Sequence, residues 1–194
     1  MIRLEKILTW CSAISYDESH VINEYIATLT LHNGTDDDNQ QSVAYERMKW
    51  WMHHAMSDSI LLDENDPLLS AYKSTRQRVL VLPSEPVDHL VAIMLYLKLN
   101  AIMEGRLIID EIKLSSDQGD HMCYLYSEYS DGAVFDIKGW WNDPRPAWKH
   151  KDATQNDSNI VELNREFEWT DVGLGWDQDK GQDSNVVHAD FGKK

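Results

Sequence analysis

At 194 residues the chain has the length of one compact domain with room for a tail. Its 18 basic and 33 acidic side chains leave a formal charge of -15, which repels a phosphate backbone and argues against direct nucleic-acid binding. A hydrophobic fraction of 42%, with eight Trp and eight Tyr, excludes wholesale disorder, and two distant cysteines, Cys11 and Cys123, make no disulfide framework and suit a reducing, cytoplasmic setting.

Met1 to Trp10 carries Arg3, Glu5 and Lys6 among its apolar residues, so no secretory leader is expected there. Positions 1–15 and 23–32 read as strands. In the second, Tyr25, Ala27, Leu29 and Leu31 fall on one face and Ile26, Thr28 and Thr30 on the other, so both faces are expected to be largely covered. Asn33-Gly34 marks a turn, and positions 35–41 read as an exposed polar loop. Its triplet Asp36, Asp37 and Asp38 offers carboxylates to a hard cation, but no further oxygen ligands follow at EF-hand spacing, which favours a solvated loop.

From Ser42 the period becomes helical, with Ala44, Met48, Trp51, Met52, Ala55 and Met56 on one core-facing stripe. His53 and His54 are adjacent and would project about 100° apart on a helix, a poor arrangement for sharing a metal. Arg78 to Leu82 reads as a short strand. A second helix is bracketed by Ser84 as its cap, Pro86 and Asp88 in its first turn and Gly105 beyond its end, with a narrow polar face at Asp88, Lys98 and Asn100. Its apolar run Leu90–Leu97 is too short to cross a membrane, so no membrane association is expected.

Positions 106–114 and 121–129 form an expected antiparallel hairpin. Strict strand alternation would send either Asp110 or Glu111 toward a covered surface or a pocket, which makes them the acids of most interest. Cys123, between Met122 and Tyr124, reads as a small buried residue. Beyond position 138 the composition changes to an aromatic and then polar stretch holding Trp140, Trp141, Trp148, Trp169 and Trp176. The expected organisation is therefore an α+β domain over 1–138 and an extended acidic and aromatic C-terminal arm over 139–194. The arm would either order on a partner through these tryptophans or wrap back onto its own domain.

The succession strand, strand, helix, strand-like link, helix, strand, strand resembles the T-fold of the 6-pyruvoyl- and 6-carboxy-tetrahydropterin synthase family. The similarity covers roughly positions 8–126. Cys11-Ser12-Ala13-Ile14-Ser15 stands where the family has its first zinc histidine, Val21-Ile22-Asn23-Glu24-Tyr25 where it has the other two, Asp17 where it has its cysteine, and Asp58-Ser59 where it has an Asp-His pair. Glu111 falls where the family anchors a heterocyclic ring. The resemblance implies an antiparallel sheet with two helices on one face, oligomerisation through the sheet, and Glu111 and Asp58 as residual ligand-binding positions. It also implies no bound zinc, because Ser15, Val21 and Asn23 offer no imidazole, thiolate or carboxylate. No cofactor is expected, and no phosphate-binding, nucleophile-elbow or metalloprotease motif is present.

The reading leans away from catalysis. The body carries 22 acids against 11 bases and the arm 11 against 7, so both steer toward basic surfaces. The expected function is a non-catalytic acidic interaction module, of the kind found among viral accessory or assembly proteins, that docks on a protein partner with a basic surface. The alternative is a divergent pterin- or deazapurine-binding protein or enzyme using Glu111 in a T-fold site.

Overall fold

The computed structural model describes residues 3–16, 19–72, 77–127, 135, 139–146, 160–161 and 167–176. Strands β1 (Arg3–Tyr16) and β2 (Ser19–Asn33) form a long antiparallel hairpin in which Trp10 faces Tyr25, their rings stacked at 5.1 Å. Helix α1 (Asp38–Trp51) starts four residues earlier than the sequence suggested. The reason is Asp37, whose Oδ1 accepts the N–H groups of Asn39 at 2.9 Å and Gln40 at 3.2 Å, so the middle aspartate of the triplet is a helix cap. A π-helical turn, Met52–Met56, extends the buried stripe through Met52, Ala55 and Met56.

Strand β3 (Ile60–Asp63), the short helix α2 (Leu69–Tyr72) and strand β4 (Val79–Leu82) follow. Then come helix α3 (Asp88–Met103), strands β5 (Leu107–Ser116) and β6 (Tyr124–Ser127), and the two-residue β7 (Ile160–Val161). The sheet order is β6-β5-β2-β1-β3-β4-β7. The strands from β6 to β1 pair antiparallel, but β1 with β3, β3 with β4 and β4 with β7 pair parallel. The fold is thus α+β, and the expected antiparallel sheet is corrected to a mixed one. The connection from β3 to β4, which contains α2, is a crossover that lets β4 run parallel to β3, while β3 runs opposite to β2 and therefore parallel to β1. The four-residue β3, too short to show alternation, went unread in the sequence.

Both long helices share one core with the odd-numbered side chains of β2: Tyr25, Ala27 and Leu29 are fully buried beside Met48, Trp51, Met94 and Leu95. Because the helices lie on the same side, the opposite face stays open, with Ile22 76%, Ile7 63%, Leu125 54% and Ile26 44% exposed. The expectation that both faces of β2 are covered is therefore wrong for its even-numbered face.

The polar stripe of α3 also differs from a solvated face. Asp88 is buried against the Ser116 hydroxyl, 2.7 and 2.9 Å from its two oxygens. Asn100 holds the backbone of Ile109, donating to its carbonyl at 3.2 Å and accepting its N–H at 2.8 Å. Lys98 is fully buried, and its ammonium donates to the carbonyls of Trp140, Asp143 and Arg145 at 3.3, 2.8 and 2.7 Å. The helix cap is Val87, not Ser84, and makes no side-chain hydrogen bond. The helix ends as expected near Gly105, with Glu104 and Gly105 both in the left-handed region at φ 48° and 74°.

The position 138/139 boundary is not a gap in the core. Trp140, Trp141 and Trp169 are buried in the same cluster as the body, and the indole N–H groups of Trp140 and Trp169 donate to the carbonyls of Val81 at 2.9 Å and Pro144 at 2.6 Å. Cys123 is exposed, not buried, because it lies before β6 begins, as is Cys11 on the open face.

Candidate functional site

The residues nominated from the sequence do not converge. Glu111 pairs with Thr30 of β2, whereas the Asp58 N–H bonds to the Cys11 carbonyl opposite Glu24. Six residues along β2 separate these levels, about 20 Å at a strand rise of ~3.3 Å. Asp58 occupies a left-handed position, φ 57°, with its carboxylate 83% exposed and 3.8 Å from Arg78. Its neighbour Ser59 is buried, donating to the Met56 carbonyl at 2.7 Å beside Ser12.

Glu111 lies 3.3 Å from the Lys113 ammonium, and Asp110 is paired with His32 at 2.9 Å. The register of β5 against β2 slips between Thr30 and Leu31, so Ile109 and Ile112 both reach the core with two residues between them. That bulge corrects the alternation argument. An extra residue lets Asp110 and Glu111 both avoid the apolar core, and neither is forced into a pocket.

Of the five nominated tryptophans, Trp148 lies outside the described residues, as does Asp17. Trp140, Trp141 and Trp169 are core residues, and Trp176 is half-buried between two arginines. The two histidines of the π-helical turn meet edge-on at 4.8 Å, and His54 stacks on Trp50 at 4.5 Å. Among the described residues no group of three His, Cys, Asp or Glu side chains gathers in a manner suited to a metal ion.

What the tertiary structure does assemble is a cleft of about 890 Å³ at one end of the sheet. The end of β1 contributes Ile14 and Ser15, and the end of β3 with the segment after it contributes Asp63, Asn65 and Asp66. The approach to α3 supplies Glu85, Val87 and Asp88, and the turn after β5 supplies Gln118, Gly119 and Asp120, with Met122 and Tyr124 beyond. Five carboxylates line it, and among the described residues no Lys, Arg or His does. Ser15 is part of this wall.

The turn after β5 is strapped in place. The N–H of Gln118 donates to Asn23 Oδ1 at 3.0 Å, that of Asp117 to the Glu24 carbonyl at 3.2 Å, and that of Gly119 to the Ser116 hydroxyl at 3.1 Å. A Cβ at position 119 would collide with Asp88 Oδ2, so only glycine allows the turn to close over that carboxylate. Burial raises the Asp88 carboxyl above its ordinary range, opposed by the Ser116 hydrogen bond and by His89. Burial likewise pushes the Tyr25 phenol far up, with the Asn23 amide opposing it. Asn23 is fully buried beside the Tyr25 hydroxyl.

The cleft thus offers fixed negative charge over an apolar wall of Ile14, Val87, Met122 and Tyr124. Sequence reasoning placed Asp88 in the first turn and on the polar face of a helix and did not bring the five acids together, because they come from well-separated stretches of the chain. No family model matches this chain, and no curated protein does. Among the described residues no helix is long and apolar enough to cross a membrane.

Proposed function

We propose that the protein is a non-catalytic interaction module that receives a basic segment of a protein partner in its acidic cleft. The observation that carries this reading is the charge of the lining: five carboxylates and, among the described residues, no cation, with apolar side chains between them. Such a surface attracts Lys- and Arg-rich segments, covers their aliphatic stems, and gives an association that weakens with salt. The described tryptophans of the C-terminal region contribute less to docking than the sequence suggested, since three of them are spent on the core.

The T-fold kinship belongs to the same proposal, supported by the order of the long strands and helices. So does a homo-oligomer built through the sheet, for which the exposed Ile7, Ile22, Ile26 and Leu125 are the support. A reducing, cytoplasmic setting fits two exposed, unpaired cysteines. A role as a viral accessory or assembly protein is compatible with a module whose work is capture.

The test is fluorescence anisotropy with a labelled Lys- and Arg-rich peptide against the full chain, at low and at physiological ionic strength. Saturable binding should weaken with salt and vanish when Asp63, Glu85 and Asp120 are all replaced by Lys. Unchanged affinity in that triple variant would sink the proposal.

A further inference from the structure

The sheet carries a notch along β1. This strand is 14 residues long, but β3 pairs with it only at Ala13 and Ile14, so on that side the stretch from Arg3 to Thr9 has no neighbouring strand among the described residues. The Ala13 N–H donates to the Ser59 carbonyl at 2.8 Å, and the Cys11 carbonyl accepts the Asp58 N–H at 2.8 Å. Odd-numbered residues of β1 thus turn their main-chain groups away from β2, and the one-to-one register with β2, unbroken from Arg3 to Tyr16, carries that alternation back along the strand. Arg3, Glu5, Ile7 and Thr9 therefore point their N–H and C=O groups into the notch, where no backbone hydrogen bond from the described residues meets them. All four residues are exposed, Ile7 at 63%. The notch runs about 20 Å at a strand rise of ~3.3 Å and is closed at one end by Asp58. A row of unpaired groups at this spacing is the template for an added extended strand.

The side chains select which strand fits. When β1 of a second copy is laid antiparallel on this edge, a twofold axis at Glu5 sets Glu5 against Glu5, and one at Lys6 sets Lys6 against Lys6. Each opposes like charges at the centre of the pairing, which destabilises it. An axis at Ile7 sets Ile7 against Ile7, Glu5 against Thr9 and Lys6 against Leu8, with no like charges opposed. That register also brings Arg3 of the second copy to the level of Cys11, where the ladder stops at Asp58, whose carboxylate is 83% exposed. Each copy so offers a cation to the other's carboxylate. Residues 3–9 hold two cations and one anion in a chain of charge -15, so two copies meeting here bring together a stretch free of the acidic excess that would drive them apart.

We propose that β1 of a second copy of this chain docks antiparallel on the Arg3–Thr9 edge with Ile7 against Ile7, joining the two sheets into one across a twofold axis. The inference rests on the homo-oligomer proposed above, whose contact it specifies, and does not involve the acidic cleft. Sedimentation equilibrium of the full chain over a range of concentrations tests it. Wild type should dimerise. Ile7→Lys and Ile7→Glu, each of which sets like charges on the axis, should each weaken the dimer at least tenfold, and an equimolar mixture of the two should recover a heterodimer. Ile7→Pro removes an N–H that points into the notch and should abolish the dimer while near-ultraviolet circular dichroism stays that of wild type. A dimer unchanged in Ile7→Pro or in both charged variants, or charged variants that stay monomeric when mixed, would overturn pairing at this edge and leave an oligomer through the face of the sheet standing. A wild-type chain that is monomeric at every concentration would overturn both.

Discussion

Lys98 shows how a single residue can join two parts of the chain. Removing water from its ammonium pushes its pKa down to about 7 from 10.5, against the pull of the nearby Asp143 carboxylate, while three carbonyls of residues 140–145 surround it. The unfolded chain then binds more protons than the folded one between about pH 7 and 10.5. The Lys98 contribution to stability should accordingly rise with pH across that window and be lowest below it. Denaturant melts of wild type and Lys98→Met at several pH values should show a slope in the first that is missing in the second. Lys98→Ala, which strands those carbonyls, should cost about 2–4 kcal/mol and shift tryptophan emission to the red as Trp140 loosens. Gly119→Ala should cost about 1–3 kcal/mol, because its Cβ needs the space held by Asp88. A melt within experimental error of wild type would mean that the turn yields freely.

At the scale of elements, α3 organises the molecule less through its apolar bulk than through the polar residues facing inward. Asp88 receives the turn after β5, Lys98 receives the chain from Trp140 to Arg145, and Asn100 fixes the start of β5. Asn100→Ala removes both bonds to Ile109 and should destabilise the fold by about 1–3 kcal/mol, with the earliest loss of hydrogen-exchange protection at β5. Asparagine at this position was legible as polar. That its polarity serves the neighbouring strand could not be read, since the partner lies across a reversal of the chain. The bulge in β5 makes the same point. Asp110 and Glu111 marked an irregularity correctly, but only the pairing with β2 decided that it is a bulge on the open face and not a ligand site.

For the whole molecule, the decisive asymmetry is that both long helices cover one side of the sheet. The other side shows Ile7, Ile22, Ile26 and Leu125 to solvent, an apolar surface of the kind that marks association. The pair Ile22→Lys and Ile26→Lys should leave monomer stability within about 0.5 kcal/mol while lowering any self-association through this face, as read by light scattering. A lowered melting point with unchanged association would mean that this face takes no part in self-association.

The local patterns determined the elements. The two-residue period of Tyr25, Ala27, Leu29 and Leu31, the helical stripe from Ala44 to Met56 and the apolar run Leu90–Leu97 of α3 each name their structure, since each records which atoms must leave water. Composition alone set the sign of the surface. The tertiary structure decided which strands run parallel, that the tryptophans at 140, 141 and 169 belong to the core, and that Asp63, Asp66, Glu85, Asp88 and Asp120 meet around one cleft. Those outcomes depend on contacts between residues far apart in the chain, and the energy of such a contact is set by what the fold brings beside each side chain, which no window of sequence contains.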